Sequence, residues 1–421
     1  MSRTPPPAPE LPEHPKSDLI IEERTYRFLT PVFGGGVTPQ HHDPITPIRV
    51  PAIRGQLRFW WRAVNPGGHT SVEALRKAEA KIFGDTEMRS RLVVQTVSQP
   101  SKPRCIPTFE TYGWTDKAKP KIRHLVGEHM AYGAFPLRDE EGKSHGSLLD
   151  YGDSVFSLRF IFDSSARDHM EAALWGWETF GGLGARTRRG FGAIERTDAV
   201  GTKLSVPTSP EAGRERWTGA GDVPWPHLVR AELGSKSFRE GREAQSALLG
   251  ELRAMRQGPG VGRRPLKKVP GKKGKRPGRS YWPEPDALRR LFKSWANKHR
   301  QECTTADAFP RAALGLPIVF HFSTKGDPED CHLVASVNRQ KAERWASPLI
   351  LRPYRDSNKA VRALAAELAP RPRRALVYSQ GRPRAEHDVR VPLEPGEVSS
   401  MPKPERAPFL DPIDAFFQRL P

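Results

Sequence analysis

Between Ser154 and Ile194 the sequence changes its hydrophobic period and then breaks into glycine. Phe156, Leu158, Phe160 and Phe162 occupy alternate positions with Ser157 and Arg159 between them, the pattern of a strand with one buried face. Met170, Ala173, Leu174 and Trp177 then recur at helical spacing, behind Ser165 and Asp168 at capping-box separation. Gly181 ends the helix. The stretch that follows, FGGLGARTRRGFGAI over 180–194, carries five glycines and three arginines. Glycine lets the main chain take positive φ and lets a ligand approach it. Arginine offers a planar fork of donors matched to phosphate oxygens. The unit therefore predicts a loop that holds a polyanion through Gly181, Gly182, Gly184, Arg186, Arg188, Arg189 and Gly190, feeding a short strand from Phe191 to Arg196. A flexible turn with solvated arginines is the competing reading. No Gly-Lys-Ser/Thr follows the glycines and the element order is reversed, which excludes a phosphate-binding P-loop.

A second informative stretch is IRGQLRFWWR, 53–62. On a helical wheel Ile53, Leu57, Trp60 and Val64 form an apolar arc, and Arg54, Arg58 and Arg62 form a ridge beside it. Arginines in line repel one another unless an anion lies between them, so the ridge points to a bound polyanion. Trp61 falls on the border, where it either stacks on a base or caps the core.

The charge balance agrees. The 421 residues hold 68 Lys and Arg against 48 Asp and Glu, a net charge of +20. That excess implies nucleic acid first and an acidic membrane surface second. No apolar run reaches membrane-spanning length and the start of the chain is no signal peptide, so a cytoplasmic protein is expected. Three scattered cysteines argue against a disulfide framework, and Cys331 beside His332 lacks the partners of a zinc site. No metal or cofactor is expected.

Residues 1–17 read as a disordered proline-rich tail. Leu19 to Phe28, Arg91 to Val97 and Ser154 to Phe162 read as strands; 51–64 and Val72 to Phe83 read as helices; 99–150 reads as a long irregular insertion. The order is that of a β-α-β-β-α-β ferredoxin-like domain over 18–200, if one further strand hides in the insertion. His41 and His42 beside Asp43 form a candidate acid–base pair, with a solvated loop the plainer reading. Residues 201–224 read as a linker and 225–421 as a second α+β unit. It holds a helix over Glu243 to Arg256, another over Pro285 to His299, a turn feeding a buried strand over Arg311 to Phe322, and a second strand over Arg344 to Tyr354. Ten basic residues from Arg256 to Arg279 form an arm, 257–280, that reads as disordered and in loose contact with nucleic acid. Arg344, Arg352 and Arg355 give the last strand a basic rim, and Arg344 and Arg352 complete the candidate RNA-binding set of Arg54, Arg58, Trp61, Arg62 and the loop.

These stretches, with PRAALGLP at 310–317, RWASPLILR at 344–352 and DPIDAFF at 411–417, resemble the first-subunit family of the Cmr complex, RAMP-superfamily proteins of type III-B CRISPR effectors. The resemblance implies two ferredoxin-like RAMP domains with long insertions. It implies assembly with sister RAMP subunits on a guide RNA near its 3′ end, contact with target RNA, and target cleavage by another subunit. His41 and His42 match no motif of the family. The expected function is a non-catalytic RNA-binding and assembly subunit, gripping phosphates without reading bases. The alternative is a metal-independent endoribonuclease of the same superfamily, with His41 or His42 as base and Arg186 to Arg189 stabilising the phosphorane. Membrane attachment through the basic arm is disfavoured, because no amphipathic anchor lies beside it.

Overall fold

The structure is a computed structural model that describes residues 18–34, 36, 43, 45–65, 68–116, 118–139, 141, 145–197, 223–268, 275–276, 278–296, 299–304, 307–322, 324–337, 340–342, 344–379, 386–398, 401 and 411–421. The proline-rich tail, His41, His42 and nearly all of the expected linker lie outside the described residues.

The alternating apolar stretches become the strands of one antiparallel sheet. β1 (Leu19–Phe28), β2 (Leu92–Ser98), β3 (Val155–Asp163) and β4 (Ile194–Arg196) lie in the order β2-β3-β1-β4. The inner face carries Tyr26, Phe28, Val94, Phe156, Leu158, Phe160 and Phe162, all buried. Three helices cover this half: α1 (Val50–Val64), α2 (Val72–Phe83) and α3 (Arg167–Phe180). α2 is capped by Ser71 and stops at Gly84. The α3 segment is entered through a short 3-10 turn whose cap is Asp163, which accepts from the Ser165 amide, rather than the expected Ser165 and Asp168 pair.

The C-terminal half builds a second antiparallel sheet from β5 (His227–Phe238), β6 (Leu349–Arg355) and β7 (Val361–Ala369), in the order β5-β7-β6. Period-two alternation sorts its two faces between two cores. Ile350, Tyr354, Leu364, Ala366 and Leu368 join the aromatic core under α1 and α3. Leu349, Leu351, Ala363 and Ala365 join a second core with Leu248, Leu252 and Met255 of α4 (Gly241–Gln257). Burial on both sides explains the consecutive apolar residues Leu349, Ile350 and Leu351. A further sheet, Ile318–Phe320, Cys331–Val337, Arg374–Ser379 and Glu386–Arg390, closes the far side.

The insertion is more ordered than its sequence suggests. Strands Arg104–Pro107 and Ser147–Asp150 pair beside Val32–Phe33, and Phe109–Trp114 pairs with Pro120–His124. Among the described residues no strand of the insertion joins the β2-β3-β1-β4 sheet. The base of the basic arm is also folded. The Arg264 amide donates to the Arg279 carbonyl, and Lys267–Lys268 pairs with Lys275–Arg276. The helix expected to His299 ends at Leu291.

Candidate nucleic-acid interface

The glycine loop between α3 and β4 folds onto its own half of the molecule. Arg186 (φ 57°) and Gly190 (φ 76°) are left-handed and bracket a single 3-10 turn, Thr187–Arg189. Gly192 has φ +62°, and a Cβ there would meet the Leu183 carbonyl oxygen at 1.9 Å. The Leu183 amide donates to the Gly192 carbonyl (2.9 Å), Ala185 to Phe33 (2.7 Å) and Gly192 to Pro31 (2.9 Å). These amides serve the fold and not a phosphate. Gly181, Gly182 and Gly190 are buried. A side chain at Gly181 would run into Trp177 and Trp60, and one at Gly182 into the Gly192 carbonyl. Their lack of a side chain is a packing requirement; of the loop glycines in the candidate set, Gly184 alone lines an open cleft.

Two of the loop arginines are inter-half fasteners. Arg188 donates to the Ser347 carbonyl (2.6 Å) with its guanidinium 5.6 Å from the Phe59 ring centre. Arg189 donates to the Leu349 carbonyl (3.1 Å), while its own carbonyl accepts from Gln245 (3.0 Å). Burial depresses Arg188, and burial with the charges of Arg256, Arg186 and Arg188 pushes Arg189 down to about 9, against a raising contribution from Tyr132. Arg352 is buried outright and donates to the carbonyls of Glu178, Gly181 and Ile194. Burial pushes it down to about 10. It is no basic rim.

The arginine ridge of α1 points away from the loop. Arg58 and Arg62 share the buried carboxylate of Glu79 on α2, at 2.6 and 2.5 Å. The anion that their spacing demanded is therefore supplied from within. Arg54 donates to the carbonyls of Leu92 (2.7 Å) and Phe83 (2.8 Å). Trp61 is fully buried, with its indole N–H 3.2 Å from His169 Nδ1, so it caps the core and offers no face to a base. Ridge and loop, named together as candidates, do not form one surface: the α1 face that meets the loop is the apolar one, through Trp60 and Phe59.

What does open to solvent is a cleft of about 430 Å³ between the start of α1, the Val32–Phe33 strand and the loop. Its cations are Arg49, Arg186 and Arg344, and no carboxylate is among its described lining residues. Arg49 is the N-cap of α1 and makes no side-chain cap bond. The helix terminus therefore adds its partial positive charge to the same space. Burial depresses Arg186, opposed by Tyr132, and the neighbouring charges of Arg344 and Arg256 depress it further. Its buried Nε has no hydrogen-bond partner among the described residues. Cations crowded together with no internal counter-charge make an anion site. Arg49 escaped the sequence reading, and Arg256 entered it only as the first basic residue of the arm. The signal for Arg49 was its place one residue before the helix start, where a side-chain oxygen is usual.

Among the described residues no group of three or more His, Cys, Asp or Glu could hold a metal ion. Cys105, Cys303 and Cys331 are unpaired thiols. No described helix is long and apolar enough to cross a membrane.

Over 178 residues the chain is 28% identical to the CRISPR system Cmr subunit Cmr1-2 of Pyrococcus furiosus, a match that spans 40% of this chain and 90% of that protein. Two solved structures are similar at lower identity. The crystal structure of Cmr1 from Pyrococcus furiosus, apo form, is 14% identical with a TM-score of 0.47, covering 96% of this chain and 97% of that one. A chain of the cryo-EM structure of the type III-B Cmr-beta bound to cognate target RNA is 11% identical with a TM-score of 0.41, covering 83% and 94%. Residues 25–195, which run from within β1 to within β4 and hold α1 to α3 and the glycine loop, match the family model of the RAMP superfamily.

Proposed function

We propose that this chain is a non-catalytic RAMP subunit of a type III-B CRISPR ribonucleoprotein, built from two ferredoxin-like units over 18–200 and 225–421. It lays a guide RNA near its 3′ end, and the duplex that guide forms with target RNA, along the Arg49, Arg186 and Arg344 cleft beside its sister Cmr subunits. The observation that carries the reading is the cleft itself: three arginines and a helix N-terminus share one open space with no carboxylate among the described residues lining it. Such a site grips phosphates whatever the base sequence, as a guide of variable spacer requires. The strand orders β2-β3-β1-β4 and β5-β7-β6 support the ferredoxin-like assignment, the second as three of the four strands. The relation to a protein named as a Cmr1 subunit supports the assembly.

The test is to incubate the purified chain with labelled guide RNA across a salt series and score both retention and cutting. Retention of intact RNA that weakens steeply with salt is expected. Shortened product formed without added metal would establish the endoribonuclease instead, and failure to retain RNA would remove the reading.

A further inference from the structure

A second hollow, of about 530 Å³, is lined mostly by the C-terminal half; Tyr132, Arg256, Arg263, Arg311, Phe320 and Phe322 are among its lining residues. Its size is that of a pocket for a small organic ligand. Its charges are unevenly answered. Arg279 pairs with Asp286 (2.7 Å) and Glu302 (3.3 Å), Arg289 with Asp286 and Asp327 (2.9 Å each), and Arg311 with Glu284 (3.2 Å). Arg256 and Arg263 meet no carboxylate among the described residues. Burial, and the charge of Arg311, depress Arg263. The Arg311 Nε faces Glu284 Oε1 at 3.2 Å, an ion pair without hydrogen-bond alignment.

The walls are aromatic. The Arg311 guanidinium lies 5.1 Å from the Phe320 ring centre, and that of Arg289 lies 5.1 Å from Phe322. Tyr132 completes the lining and stands near enough to Arg186 and Arg189 to act on both. The charge of Arg256 also acts on both. Rings and guanidinium planes bind a flat heteroaromatic group by stacking, and unanswered guanidiniums bind phosphate.

We propose that this hollow receives one nucleotide, its phosphate against Arg256 and Arg263 and its base against the aromatic wall. The source is either a residue turned out of the strand in the cleft, which rests on the RNA-binding reading above, or a free nucleotide. The test uses the full chain and a single-stranded RNA carrying 4-thiouridine, photo-crosslinked and mapped by mass spectrometry, with and without excess AMP, alongside direct calorimetric titration of AMP. An adduct on the segment holding Phe320 and Phe322 is expected. It should fall about fivefold or more in Arg263→Gln and in Phe322→Ala, while total RNA retention changes by less than about twofold. Loss of the adduct under AMP, with RNA still retained, identifies a pocket that also accepts free nucleotide; an adduct that resists AMP identifies the turned-out residue. If RNA is not retained at all, the RNA reading fails, and saturable AMP binding lost in Arg263→Gln is then what sustains the pocket. RNA retained without an adduct there and without AMP binding, adducts indifferent to both substitutions, or absence of both ligands overturns the proposal.

Discussion

Arg352 Nη1 donates to the main-chain carbonyl of Gly181 at 2.7 Å, from a strand of one half of the molecule to the end of a helix in the other. The same guanidinium reaches the carbonyls of Glu178 and Ile194. Replacing Arg352 with Met keeps the bulk and strands three buried acceptors. We expect a loss of about 3 kcal/mol in unfolding free energy, read by denaturant titration. Lys should not rescue it, because a point charge cannot satisfy three divergent carbonyls. A midpoint unchanged by either substitution would contradict this role.

Arg186 and Arg344 share a cleft with no described carboxylate. Replacing both with Ala should weaken RNA retention and make the log–log salt slope shallower by about 1.4 units, the contribution of two phosphates on a single strand. Retention and slope that match the parent would take the cleft out of the interface.

Arg58 and Arg62 give the opposite expectation. Both neutralise Glu79, which is buried. The double Ala substitution should leave the salt slope alone and cost about 2 kcal/mol of stability through the isolated carboxylate. Changing Glu79→Gln in that background should recover part of the loss. Weakened RNA binding in folded Arg58→Ala, Arg62→Ala protein would return the ridge to the interface.

Asp327 supplies a pH dependence. Burial alone would raise its pKa, but the Arg289 fork (2.9 Å to each oxygen), His299 and the Ala296 amide outweigh burial and hold it well below the ordinary carboxylate range. The folded value lies below the unfolded one, so this stability is present above about pH 4 and is lost as pH falls toward the folded value. Thermal melts between about pH 5 and pH 2 should show the decline, and Asp327→Asn should flatten it and lower the neutral-pH midpoint. An identical decline in the variant would place the acid sensitivity elsewhere.

How far such roles can be read from sequence depends on what the pattern encodes. Period is local, so β1 and α2 emerge at their observed bounds and β3 and α4 within two residues of theirs. The glycine loop was legible as a loop, because its glycines mark backbone that other residues cannot follow. The fate of an arginine was not legible. Arg188, Arg189 and Arg352 carry the same side chain as Arg186, and what separates them is a carbonyl about 160 residues away in sequence. The Arg58 and Arg62 ridge was satisfied by Glu79, on the next helix, whose register no wheel of α1 contains. Trp61 was misplaced by its border position, since α2 and α3 extend the core past the edge of the apolar arc: Trp61 packs against Phe83 and His169.

The sheet β5-β7-β6 lends each of its faces to a different core. A fragment cut near residue 200 would expose a raw aromatic flank, and its complement would lose the cover over Ile350, Tyr354 and Leu364. The two sheets thus depend on a shared core. A ligand seated at the seam would press on both parts at once, so its occupancy should register as added resistance to proteolysis on either side of the join.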